Sequence, residues 1–70
     1  MEENKQIYLK IGKKVRHLRK LRKMSQEKLA ELADINRNYV GKIERAESKS
    51  SIDVLYKIAL ALKIDLSSFF

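Results

Sequence analysis

Two short apolar patterns, each opened by its own capping residue and set only a few residues apart, constrain this chain more than any other feature. Ser25 has the chemistry of a helix N-cap, and Leu29, Ala30 and Ala33 follow it on one helical face. Asn36 opens the second pattern, in which Val40 and Ile43 point inward at i, i+3. Arg37, Asn38, Tyr39 and Lys42 therefore fall on the outward side. The intervening Asp34, Ile35 and Asn36 allow only a tight turn, so residues 25 to 45 read as two short amphipathic helices in direct succession.

The rest of the chain must supply the core on which that pair rests. Seventy residues with 44% apolar content and no cysteine, proline or tryptophan make one small domain, held by a compact core without staples. An all-helical fold is the economical solution. Lack of cysteine excludes disulfides and thiolate metal sites. The N-terminus is polar where a signal peptide needs an apolar core, and the longest apolar run, Ile58 to Leu62, is far short of a membrane span. The reading therefore predicts a cytoplasmic chain with no membrane partner. The net charge of +7 favours a polyanionic one. The first 24 residues carry nine Lys or Arg against two Glu, and the remainder balances to zero.

Ile7, Ile11, Val15 and Leu18 step by three or four and predict the buried stripe of a first helix from about Lys5 to Arg22. Its other faces carry Lys10, Lys13, Lys14, Arg16, Lys20, Arg22 and Lys23, which suit either a solvated face or contacts to phosphates. After Ala46 the periodicity stops, and Glu47 to Ser50 read as a polar loop. Ser50 with Asp53 reads as a capping box for a further helix whose stripe is Ile52, Leu55, Ile58, Ala59 and Leu62. Asp65 then caps a last short turn containing Leu66, Phe69 and Phe70. The expectation is five helices filling residues 1–70 as a single domain, without repeat, linker or low-complexity segment.

A helix pair of the size of residues 25 to 45 is the unit that sets one helix in a DNA major groove. With that arrangement in hand, the chain resembles the phage-repressor or Cro-like helix-turn-helix family, often called XRE, over about residues 7 to 70. The resemblance is carried by Leu18-Arg19, Ser25 to Ala30, Asn36 to Val40, Ile43-Glu44-Arg45, and Ile58-Ala59 with Leu62. Arg37 to Val40, Ile43 to Arg45 and the ending Ile64 to Phe70 are similar to the small controller proteins of restriction-modification systems. Departures are Lys23 and Asp34 where glycine is frequent, Ala46 for the glycine common after Glu-Arg, and the missing loop proline. They bear on turn geometry rather than on the fold. The resemblance implies a compact lambda-repressor-like five-helix bundle.

The resemblance also implies roles. Arg37 and Asn38 match positions that reach base edges, where Arg suits guanine and Asn suits adenine. Tyr39 is implied as a contact to a thymine methyl or a phosphate, the competing reading being a ring packed at the core edge against the helix before it. Lys42, one turn after Asn38, reaches a base or the backbone. Gln26 matches a phosphate ligand at a helix N-terminus, or is a plain surface glutamine. Ser48, Lys49 and Ser50 match backbone-touching residues, or form a solvated loop. Arg19 and Glu44 match a structural ion pair that pins the recognition helix. Because one helix reads only a few base pairs, a homodimer on a palindromic operator of double-stranded DNA is expected. Ile64, Leu66, Phe69 and Phe70 are its interface candidates, the competing reading being that these aromatics close the monomer core.

Catalysis finds no footing in the sequence. His17 is the sole histidine and has no second imidazole or cysteine with which to form a metal site or a nucleophilic pair. Glu27 and Glu31 are i, i+4 carboxylates that read as charge balance. No cofactor and no small-molecule ligand are expected. The function expected is a transcriptional regulator; the competing class is an antitoxin-like or protein-interaction module with secondary DNA binding.

Overall fold

The computed structural model describes residues 2–70, with side chains from Lys5 onward. Four α-helices follow one another, α1 (Glu2–Leu21), α2 (Gln26–Ala33), α3 (Arg37–Glu44) and α4 (Ile52–Leu62), and a short 3-10 turn (Leu66–Phe69) ends the chain. The described residues contain no strand. The fold is thus all-helical as expected, with one correction: the fifth element is a single 3-10 turn rather than a helix. Asp65 occupies its N-cap position, but the side chain makes no capping hydrogen bond. Four residues close only one turn, too few to propagate a helix that cannot lay down a further apolar face.

The stripes meet in one core. Ile11 and Val15 of α1, Leu29 of α2, Val40 and Ile43 of α3, and Leu55, Ile58 and Leu62 of α4 are all at most 2% exposed. Phe69 joins them at 0%, carried inward by the 3-10 turn, and is the largest fully buried side chain. Burial of a phenyl ring of this kind contributes roughly 3–5 kcal/mol relative to alanine. Phe69 therefore closes the monomer core and leaves no surface for a second copy, which removes it from the expected interface. Ile52 also departs from expectation. It is 59% exposed and aligns with Tyr56 and Leu60 at i, i+4, i+8 on the outer side of α4.

Caps set the helix starts. Ser25 Oγ accepts from the Lys28 amide at 2.9 Å and Asn36 Oδ1 from the Asn38 amide at 2.7 Å. At α4 the cap is Ser51, whose Oγ accepts from the Val54 amide at 3.2 Å. Ser50 is not the cap, because the extended residue immediately before Ile52 is Ser51. The helix ends share one device. Lys23, Asp34, Ala46 and Lys63 all take left-handed φ values of 57–59°. In each case the next residue's amide reaches back to the carbonyl five residues earlier: Met24 to Arg19, Ile35 to Ala30, Glu47 to Lys42 and Ile64 to Ala59. Schellman turns of this kind usually place glycine at the left-handed position and an apolar residue after it. Here Met24, Ile35 and Ile64 are such apolar anchors, packed against the core. Glu47 breaks the pattern.

One glycine decides how closely α1 meets α3. A Cβ at Gly12 would lie 2.5 Å from the Ile43 carbonyl oxygen and 2.8 Å from that of Glu44. Only a residue without a side chain lets the C-terminal end of α3 rest on α1 at that separation.

Candidate nucleic-acid interface

The apolar side of α3 is committed to the core, so its opposite side is free. Val40 and Ile43 are buried, while Arg37, Asn38 and Lys42 are exposed. Tyr39 is half-buried and packs against the core, so its ring serves the core edge while part of it remains accessible. Arg37 lies 3.8 Å from Glu27 of α2, a solvent-exposed pair of little energetic consequence.

What holds α3 in register is a charged cluster at its far end. Glu44 accepts from Arg19 Nε at 2.6 Å, from Arg19 Nη2 at 3.1 Å and from Gln26 Nε2 at 3.0 Å. Arg19 also donates through Nη1 to the Met24 carbonyl at 2.8 Å. The two charged side chains are only 10% and 4% exposed. One carboxylate thereby ties together the end of α1, the start of α2 and the end of α3, with bidentate Arg geometry that fixes angle as well as distance. Gln26, expected at a phosphate, is thus drawn into the scaffold through its amide N–H.

Between the start of α2 and the outer side of α3 lies an open concavity of about 500 Å³ lined by Gln26, Glu27, Arg37, Asn38, Gly41, Lys42 and Arg45. Three of its side chains are cationic and one is a carboxylate, so its balance suits an anionic partner. It brings together Gln26, Arg37, Asn38 and Lys42 of the residues expected from the sequence. Ser48, Lys49 and Ser50 are not among its lining; Lys49 is exposed and the two serines are half-buried on the connection to α4. Of the interface candidates, Ile64 and Leu66 are half-buried against the core, and Phe70 is 54% exposed, its carbonyl accepting from Lys10 Nζ at 3.2 Å.

Arg45 was given no role of its own by the residue pattern. Helical spacing carries the signal nonetheless, because Arg37, Gly41 and Arg45 stand at i, i+4, i+8. Its Nε donates to Glu47 Oε2 at 3.0 Å. That hydrogen bond, against desolvation and aided by the charges of Arg45 and Lys42, holds the Glu47 carboxyl below its ordinary range, and the same bond raises Arg45. Both groups are fully charged at neutral pH. Among the described residues no cluster of three potential metal ligands occurs, and no helix is long and apolar enough to cross a membrane.

Comparison with known proteins gives one consistent picture. The helix-turn-helix family model HTH_3 matches residues 15–69. The control protein C.BamHI of Bacillus amyloliquefaciens is 44% identical over 59 residues, spanning 83% of this chain and 73% of that protein. The immunity repressor protein of Bacillus phage phi105 is 38% identical over 58 residues, and the match covers 83% of this chain but only 40% of the repressor's length. The crystal structure of the restriction-modification controller protein C.AhdI from Aeromonas hydrophila superposes with a TM-score of 0.87 at 38% identity, covering 90% of this chain and 96% of that one.

Proposed function

We propose that this chain, which belongs to the HTH_3 helix-turn-helix family, is a sequence-specific transcriptional regulator that binds double-stranded DNA as a homodimer on a palindromic operator. The similarity to the controller proteins C.BamHI and C.AhdI supports restriction-modification genes as its targets. The observation that carries the reading is α3 itself. Its apolar side is locked to the core while Arg37, Asn38 and Lys42 face solvent around a cationic concavity, on a helix whose position is fixed by the Arg19–Glu44–Gln26 cluster.

In this reading Arg37 and Asn38 discriminate bases, and Lys42 and the exposed part of Tyr39 complete the contact surface. The α2 N-terminus at Gln26 and the loop residues Ser48, Lys49 and Ser50 serve phosphates. The second copy sits on the apolar side presented by Phe70, Ile64 and Leu66 together with the stripe Ile52, Tyr56 and Leu60, which is more than half exposed at each position. Two recognition helices would then lie about 34 Å apart on one face of the duplex. Localisation in the cytoplasm follows from that partner. Selection of bound sequences from a random duplex pool tests the whole proposal. An enriched palindrome is the expected result, with affinity falling roughly 10³- to 10⁵-fold between 50 and 200 mM salt for 6 to 10 phosphate contacts. No enrichment and a flat salt response would remove DNA binding, and an asymmetric single half-site would remove the dimer.

A further inference from the structure

We propose that Arg45 is a further base-reading residue of this interface and that Glu47 positions it, accepting its Nε–H so that the Nη1 and Nη2 edge is presented to the groove. The inference rests on the DNA-binding reading above. Three observations converge on it. First, the Arg45 side chain does not trail into the loop but folds back along α3: a Cβ on Gly41 would lie 3.0 Å from its Nη1, 3.5 Å from Nη2 and 3.6 Å from Cζ. The guanidinium therefore occupies the space above Gly41, in the concavity shared with Arg37, Asn38 and Lys42. Second, its Nε is committed to Glu47 at 3.0 Å, while Nη1 and Nη2 donate to no protein atom among the described residues. A guanidinium held by Nε offers the paired N–H edge whose geometry matches the O6 and N7 acceptors of guanine. Third, Glu47 stands where the three matching chain reversals place the apolar anchors Met24, Ile35 and Ile64. The turn after α3 gives up that anchor for a carboxylate aimed at Arg45.

A positioning role and a simple charge role for Glu47 predict opposite signs. If Glu47 only repelled phosphates, replacing it would raise affinity for every duplex alike. As the residue that orients Arg45, its loss must cost discrimination at one base pair. The experiment measures binding of the wild type and of Arg45→Ala, Glu47→Ala, Glu47→Gln and Gly41→Ala on the selected operator, on its single-base variants and on random duplex, with a thermal melt of each. Arg45→Ala is expected to relax preference at one guanine position by about tenfold, within the 5- to 150-fold range of a bidentate Arg–guanine contact. Glu47→Ala should relax the same position, and Glu47→Gln, which keeps an acceptor for Nε–H, should restore most of the preference. Gly41→Ala improves helix propensity, so its melting temperature should not fall. Its methyl would nonetheless press on Nη1 at 3.0 Å, shift the guanidinium by a few tenths of an ångström and weaken preference at that same position more mildly than Arg45→Ala. If the wild type is selective and Arg45→Ala keeps an unchanged preference profile, or lowers affinity uniformly, the inference is overturned while DNA recognition stands. A wild type with no sequence preference overturns both.

Discussion

Replacing Glu44 by alanine separates the scaffold from the reading surface. The substitution removes three hydrogen-bond acceptor contacts, at 2.6, 3.1 and 3.0 Å, and leaves Arg19, whose side chain is 10% exposed in the intact protein, with only the Met24 carbonyl as partner. Removing one member of a fully buried ion pair costs about 3–5 kcal/mol, mainly through the stranded charge. Arg19 keeps one hydrogen bond and a margin of solvent, so the expected loss is near the bottom of that range, about 3 kcal/mol. A 70-residue domain has in total roughly 4–10 kcal/mol of stability. At about 4–8 °C per kcal/mol for a domain of this size, the melting temperature should fall by roughly 12–24 °C. Lys42→Ala is the control, an exposed change expected within about 0.5 kcal/mol of wild type. Circular dichroism melts of both variants and operator titrations well below either midpoint make the comparison. Both should weaken binding, and only Glu44→Ala should lower the melting temperature substantially. A shift for Glu44→Ala no larger than that of Lys42→Ala would refute the view that this carboxylate ties α1, α2 and α3 together.

Gly12→Ala should destabilise by about 1–3 kcal/mol despite alanine's better helix propensity, because its methyl would press on the Ile43 and Glu44 carbonyl oxygens; a denaturant midpoint at or above wild type would contradict the close approach of α1 and α3. Ala46→Gly should stabilise by about 0.5–1 kcal/mol, since it relieves a left-handed alanine at φ 59° and gives back only part of that in unfolded-state entropy; a lower melting temperature would show that this turn is not strained. Tyr56→Glu with Leu60→Glu should yield a folded monomer in sedimentation with lowered operator affinity, whereas Phe69→Ala should lose roughly 3–5 kcal/mol of stability in the protomer itself. A dimer unaffected by the double glutamate change would move the interface off α4.

Features decided by local chemistry were legible in the sequence, and those decided by how the turns place their neighbours were not. Ser25 and Asn36 could be read as caps because a side-chain oxygen beside unpaired helix amides has one obvious partner. The Arg19–Glu44 pair was reached through the family pattern, and its third member, Gln26, was not, since nothing local says which way an amide at a helix start will turn. Ser50 and Ser51 are equally good caps by chemistry. The choice between them depends on the register that sends Leu55 and Ile58 inward. Phe69 and Phe70 are adjacent and identical, yet one is fully buried and the other 54% exposed. Only the direction of the last 3-10 turn separates them. Likewise, Arg45 and Glu47 are two residues apart, a spacing at which helical side chains do not face each other. They meet because Ala46 turns left-handed and brings the chain back.

The placement of Gln26 has a consequence for how this surface can hold a phosphate. Its Nε2 donates one N–H to Glu44 Oε1, which fixes the plane of the amide and leaves a single further N–H on that nitrogen. The Oε1 atom is an acceptor and has no attraction for an anion. A phosphate at the start of α2 would therefore be met by that remaining N–H and by the unpaired backbone amides of the first turn, of which the Lys28 amide is already taken by Ser25 Oγ. Such a contact has directional requirements that a lysine would not impose, and its geometry is inherited from Glu44. The residue that pins α3 to the core is thus also the one that orients the Gln26 amide at the start of α2. In the proposed mode of binding, the position of α3 relative to the duplex backbone would then depend on one buried carboxylate as well as on the contacts each helix makes by itself.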